Sequence, residues 1–197
     1  MSFYSAGTIR RLCKEGVMVR LESGRMIRKP LIEPVTKQRL AFIEGSAFDL
    51  TLANVYGADA DRPAPLIGVM IRDGAETGPI PFEDNEMVWF LQKGRSYLLE
   101  SREAVNVPLN VTTLLDTRSS LFRGFARLTF GAAHPNFQGR ITGLLTVHHP
   151  NGLWIQQYSR FAFVRFATFD TDETDAYDGM YGTGKNRITV APGTRGY

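Results

Sequence analysis

The sequence predicts a mainly β protein, a sandwich or a barrel, on three observations. Short β-prone runs follow one another as far as Phe169, turn-rich stretches separate them, and a helical period shows only near the N-terminus. Many short strands with regular punctuation specify a core built from packed sheets rather than from helices.

In order along the chain, Ile9, Leu12 and Cys13 stand at i, i+3 and i+4. Ser5 ahead of them suits a helix cap and Gly16 a stop, so 5–15 reads as one short amphipathic helix. The strand candidates are 48–55, 66–71, 87–91, 96–100, 112–115, 126–130, 139–147, 153–158 and 161–169. Turns fall at Gly57-Ala58-Asp59-Ala60-Asp61 and at His149-Pro150-Asn151-Gly152, where Asn-Gly signals a hairpin. The stretch 61–81, with four prolines, reads as an insertion on the β core that carries 66–71 as its own strand. Beyond it, 170–178 is acidic and 179–197 holds five glycines, which predicts a mobile C-terminal arm. The expected organisation is one domain over 1–197, with helix 1–16, β core 17–169 and arm 170–197.

With 43% hydrophobic and 22% charged residues, the chain has the balance of a globular protein. Its net charge of +3 is a surplus that an ordinary solvated surface carries. No Lys/Arg-rich run occurs, which argues against nucleic acid as a partner. No window comes near the roughly 20 apolar residues of a membrane span, and the N-terminus lacks the apolar run of a secretory signal. A single cysteine, Cys13, excludes an internal disulfide, and the expected location is cytoplasmic.

Zinc-dependent deamination needs a triad of His or Cys ligands with a glutamate nearby, and one cysteine does not supply it. His148 and His149 are adjacent, so on a strand their rings point to opposite faces and do not chelate one ion together. No protein-held metal is expected. The phosphate-binding loop G-x-x-x-x-G-K-[ST], the G-x-S-x-G elbow and the G-x-G-x-x-G turn are all missing, and 179–185 is followed by Asn186 where Ser or Thr would be needed.

More informative is Asp116-Thr117-Arg118-Ser119-Ser120-Leu121-Phe122-Arg123, which follows a β run and leads into a glycine. Guanidiniums grip phosphate through paired hydrogen bonds, and hydroxyls or amides at a sharp turn complete such a grip. The alternative is a plain helix start, capped by Asp116 or Thr117, with Arg118 and Arg123 in solvent. Residue chemistry alone leaves both readings open.

Arg118-Ser119-Ser120-Leu121, with Arg123 beyond, resembles the R-S-S-L-x-R motif of the trimeric dCTP deaminases, which share a fold with dUTPases. His134-Pro135-Asn136-Phe137-Gln138-Gly139-Arg140-Ile141-Thr142 is similar to that family's D-P-G-F-x-G-x-I-T segment. The 7–16 stretch resembles its N-terminal helix, and Gly45-Ser46-Ala47-Phe48-Asp49-Leu50-Thr51-Leu52 its P-A-S-V-D-L-R-L strand. Tyr177, Gly179 and Tyr181 match the start of Y-x-G-K-Y-Q-G-Q, the family segment that closes over the triphosphate. All five matches run in the family's order.

The resemblance implies a distorted jelly-roll or β-sandwich protomer of dUTPase type, a homotrimer with sites at subunit interfaces, and Mg2+ carried on a deoxynucleoside triphosphate. It implies that Arg118, Ser119, Ser120, Arg123 and Gln138 contact phosphates or support the catalytic water, with Tyr181 and Lys185 in the closing arm. Two positions depart from the family. Its deaminases place a glutamate five residues after the motif glycine; here that residue is Leu144, which moves no proton. Its dUTPases place an aspartate before F-x-G; here that residue is His134, either a replacement base near neutral pH or a structural hydrogen-bonding residue. Leu144 is expected to continue a buried core along 139–147. In the arm, Met180, Gly182 and Gly184 replace the lysine and glutamines. The expected function is binding of a deoxynucleoside triphosphate, with deamination of dCTP or hydrolysis of dUTP as the chemistry; the alternatives are a non-catalytic nucleotide sensor and a trimeric scaffold.

Overall fold

The structure is a computed structural model that describes residues 2–58, 77–80 and 87–169. β1 (Ser2–Phe3) leads into α1 (Ala6–Glu15), the hairpin β2 (Val17–Arg20) and β3 (Met26–Lys29), then β4 (Ile32–Glu33), α2 (Lys37–Leu40) and β5 (Ile43–Glu44). The long β6 (Ala47–Ala58) follows, then β7 (Thr77–Pro79), β8 (Val88–Leu91), β9 (Ser96–Asn106) and β10 (Val111–Thr117). A short α3 (Ser119–Arg123) precedes β11 (Ala126–Phe130), β12 (Gln138–Val147), β13 (Leu153–Gln156) and β14 (Arg160–Thr168).

α1 forms as its sequence predicts. The Ser5 hydroxyl accepts the Thr8 N–H at 3.2 Å, Ile9 and Cys13 are buried, and Gly16 ends the helix with its N–H on the Leu12 carbonyl. Gly16 sits at φ 82°, where a Cβ would come within 2.9 Å of the Lys29 carbonyl oxygen, so the stop requires glycine.

The protein is mainly β, with antiparallel pairing throughout the described strands. The principal sheet runs β1-β14-β6-β9-β12-β11, with β10 on β14 and the short β4, β5 and β7 at its margins. β6 pairs with β14 through its first half and with β9 through its second, and its register shifts between Leu52 and Asn54 where it changes partner. Such a bulge bends a strand and sharpens its twist, which curls the sheet. Phe48, Leu50, Leu52, Leu99, Leu145, Phe161 and Phe166 form the core against the inner face. Among the described residues no helix is long and apolar enough to cross a membrane.

Three local expectations change. β9 runs to Asn106 rather than stopping at Glu100, because Ser101 and Glu103, which look like surface residues, are buried and hydrogen-bonded. Asn151-Gly152 closes no hairpin: β12 pairs with β11 and β9, whereas β13 pairs with β8, so the turn carries the chain from one sheet to another. Gly57 and Ala58 belong to β6 rather than to a turn. The expected strand 66–71 and the arm 170–197 lie outside the described residues.

Candidate functional site

β10 ends on Thr117, and α3 starts at Ser119 with Arg118 as an extended cap residue that makes no side-chain capping bond. Neither Asp116 nor Thr117 caps the helix; Asp116 instead accepts the Thr117 N–H at 2.7 Å. Nor does Arg118 stand free in solvent. Its Nη1 donates to both carboxylate oxygens of Asp49, each at 2.8 Å. Leu121 is buried and seats the turn, while Ser119, Ser120 and Arg123 are exposed.

Asp49 belongs to a polar seam along β6. Arg160 donates to it at 3.1 Å and also stands 4.0 Å from Glu44, so two guanidiniums converge on one buried carboxylate beside the Ser119 turn. Two residues on, Thr51 meets Glu103: its N–H donates to that carboxylate at 2.8 Å and its hydroxyl at 2.7 Å. Arg39 completes this buried group by donating to Glu103 and to the Thr51 hydroxyl. The Arg39 and Arg160 guanidiniums each stand 5.7 Å from the Phe42 ring, which ties the two groups together. Farther along β6, Asn54 Nδ2 donates to Glu100 at 2.8 Å, and Arg140 Nη1 donates to the same oxygen at 3.1 Å. Burial first, then the neighbouring Glu100 charge, raises the Tyr56 phenol above its usual range and keeps it protonated.

The His134 segment plays a different part. Asn136, at φ 67°, clamps the Arg20 backbone by accepting its N–H at 2.7 Å and donating to its carbonyl at 3.0 Å. Gln138 donates to that same carbonyl at 2.9 Å; it is 2% exposed, and its Oε1 is buried without a protein partner. His134 lies exposed on the preceding turn. The Thr113 hydroxyl donates to the Ala133 carbonyl at 2.8 Å, which places this turn near the start of β10. Arg118 is five residues farther on, about 16 Å at roughly 3.3 Å per strand residue. The His134 turn thus sits at the opposite end of β10 from Arg118.

Leu144 corrects the expectation of a core position. Along β12, Ile141, Gly143, Leu145 and Val147 face inward, and Leu144 faces outward with 44% of its surface open. His148 and His149 serve the turn, both N–H groups donating to the Phe125 carbonyl. Among the described residues no group of three or more His, Cys, Asp or Glu side chains is placed to hold a metal. Tyr181 and Lys185 lie outside the described residues. Asp49 stands in the 45–52 strand motif without an assigned role, and no motif marks Glu100, Glu103 or Arg160. The signal was available at Asp49, a lone acid inside the apolar run Phe48 to Leu52.

A curled antiparallel sheet whose central strand holds the arginine of an Arg-Ser-Ser turn places the protein in the dUTPase-like fold class. The crystal structure of a 2′-deoxycytidine 5′-triphosphate deaminase from Agrobacterium tumefaciens superposes with a TM-score of 0.57 at 14% identity. The match covers 83% of this chain and 46% of that one, so this chain spans less than half the deaminase's length. A family model described as dCTP deaminase-like matches residues 16–169, and the chain belongs to that family. A probable deoxyuridine 5′-triphosphate nucleotidohydrolase from Methanosarcina acetivorans is 30% identical over 144 residues, 71% of this chain and 80% of that protein. Its counterpart from Halobacterium salinarum is 29% identical over 150 residues, 76% of this chain and 87% of that protein.

Proposed function

We propose that the protein binds a pyrimidine deoxynucleoside triphosphate as a single-domain enzyme and hydrolyses it, with dUTP as the leading substrate. The carrying observation is the Arg118-Ser119-Ser120 turn, locked on Asp49 within a chain of the dCTP deaminase-like family. The turn offers two exposed hydroxyls, with the Arg118 guanidinium before them and the exposed Arg123 at the end of α3, a donor set suited to phosphate oxygens. Mg2+ enters as part of the substrate, on the triphosphate.

Hydrolysis is favoured over ring deamination because Leu144 offers no proton-transfer group at the position where the resemblance puts the deaminase base. In the proposed step, water attacks the α-phosphorus, pyrophosphate leaves with the electrons of the broken P–O bond, and His134 takes the water proton. The placement of the His134 turn against Thr113, about 16 Å along β10 from Arg118 at roughly 3.3 Å per residue, supports sites shared by neighbouring protomers of a homotrimer. Phe122 and Phe125, 58% and 64% exposed around α3, supply apolar surface for such contacts.

Thermal shift with Mg2+ and dUTP, dCTP, dTTP or the matching ribonucleotides, followed by product analysis, tests the reading. A ligand at a hundredfold excess over Kd adds about 2.7 kcal/mol to native stability. Stabilisation by a pyrimidine deoxynucleotide with release of dUMP and pyrophosphate from dUTP is expected. If no deoxynucleotide stabilises the protein, the reading fails.

A further inference from the structure

The outward face of the curled sheet carries a second constellation, away from the Arg118 turn. Tyr56, Leu98 and Leu144 stand directly opposite one another across β6, β9 and β12 and form an apolar row that is part open to solvent. Two residues along each strand, about 7 Å away, runs a polar row of Asn54, Glu100 and Thr142. Side chains two apart on a strand share a face, so the rows form one platform: an apolar strip beside a line of donors and acceptors.

Glu100 is the unusual member. It lies on the outer face of the sheet yet is only 6% exposed, enclosed by neighbours that point toward it. Asn54 donates at 2.8 Å, Arg140 at 3.1 Å and Tyr56 at 3.5 Å, all to Oε2; none of these bonds falls on Oε1. A carboxylate held in place by one oxygen is a preorganised acceptor at the other. Arg140, 45% exposed at its side chain, sets a guanidinium donor alongside. A fixed acceptor next to a fixed donor, flanked by a flat apolar strip, matches the edge and face of a heteroaromatic ring.

We propose that Glu100 and Arg140 read the hydrogen-bonding edge of the pyrimidine base, with Leu98 and Leu144 against its face. This assignment rests on the nucleotide-binding reading above and names the residues that would confer its base selectivity. The shared chemistry is an N–H donor beside an acceptor. Cytosine presents it as N4–H next to N3, uracil as N3–H next to a carbonyl. The outward leucine at 144 then has a use that a core residue would not have: it supplies ring contact where a carboxylate would be costly to desolvate.

The test measures Kd on the full chain by titration calorimetry with Mg2+ and three probes: dCTP, dUTP and inorganic tripolyphosphate. Glu100→Gln keeps the side-chain shape, Arg140→Gln changes a residue whose side chain is 45% exposed, and the thermal midpoint of each variant is measured first so that affinities are compared between folded proteins. Both variants are expected to weaken whichever nucleotide the parent prefers by about tenfold or more, the scale of one lost bidentate base contact. Tripolyphosphate, which has no base, should change by less than about twofold. The dCTP and dUTP arms identify the base. If nucleotide and tripolyphosphate weaken equally, or neither variant changes the nucleotide Kd, base reading by Glu100 is overturned while triphosphate binding stands. If the parent binds none of the probes, both readings fail.

Discussion

Replacing Asp49 by asparagine should loosen the Arg118 turn and lower stability together. The carboxylate is 3% exposed and takes bonds of 2.8 and 2.8 Å from Arg118 and 3.1 Å from Arg160. Removing one partner of a fully buried ion pair costs about 3–5 kcal/mol, much of it for the charge left uncompensated. Here the arginine side chains are 30% and 41% exposed, so water recovers part of that cost. Asparagine also retains one acceptor oxygen, which leaves an expected loss of about 2 kcal/mol. In a chain of this size that corresponds to a Tm drop of about 4–8 °C. Urea unfolding should show a lower midpoint with an unchanged slope, since the same surface is exposed. A cycle with Arg118→Gln should give a coupling of about 1 kcal/mol or more. If Asp49→Asn unfolds within about 0.5 kcal/mol of the parent and the cycle shows no coupling, Asp49 does not hold the turn.

Other outcomes follow from the same structure. Burial pushes the Cys13 thiol up to about 11, so iodoacetamide should label it slowly at pH 8 in the native protein and quickly in urea. Because the folded state keeps that proton longer than the unfolded chain, the thiol's contribution is fully present below about pH 9 and is lost as pH rises toward about 11, a decline that Cys13→Ala should remove from the pH–stability curve. Gly143→Ala would set a Cβ 2.6 Å from the Phe130 ring and 2.9 Å from Leu128, and calorimetry should show a loss of about 1–3 kcal/mol. Gln138→Met gives up one bond to the Arg20 carbonyl but also removes a buried acceptor without a protein partner, so its stability should stay within about 1 kcal/mol of the parent in urea titration.

Much of the scaffold was legible in the sequence because local chemistry and tertiary context agree there. Ser5 and Gly16 bracket α1 by capping, and 126–130 is a strand because its apolar alternation matches the face it buries. Legibility fails where burial inverts the ordinary meaning of a residue. Ser101 and Glu103 look like the end of a strand, yet Ser101 bonds to the Glu103 carbonyl and the Ile141 N–H, and Glu103 to Thr51 and Arg39, which makes both interior. Leu144 looks like core, yet the two-residue period that buries Gly143 and Leu145 turns it outward. The Asn151-Gly152 signal was local, whereas the partner of β13 is β8, some sixty residues earlier in the chain. For the site, Arg118, Ser119, Ser120 and Arg123 were visible as a motif. Asp49 showed only as a lone acid in an apolar run and Glu100 not at all, because the partners that give them significance are cross-strand neighbours that sequence spacing does not reveal.

The most direct test is titration of the full chain and its Arg118→Ala variant with Mg2+·dUTP under conditions where turnover is slow. Saturable binding by the parent is expected, with a Kd at least about tenfold weaker in the variant, the scale of one lost charge-assisted phosphate contact. Equal affinities would show that the Arg118 turn does not grip the triphosphate, and the absence of any binding would contradict the proposed function itself.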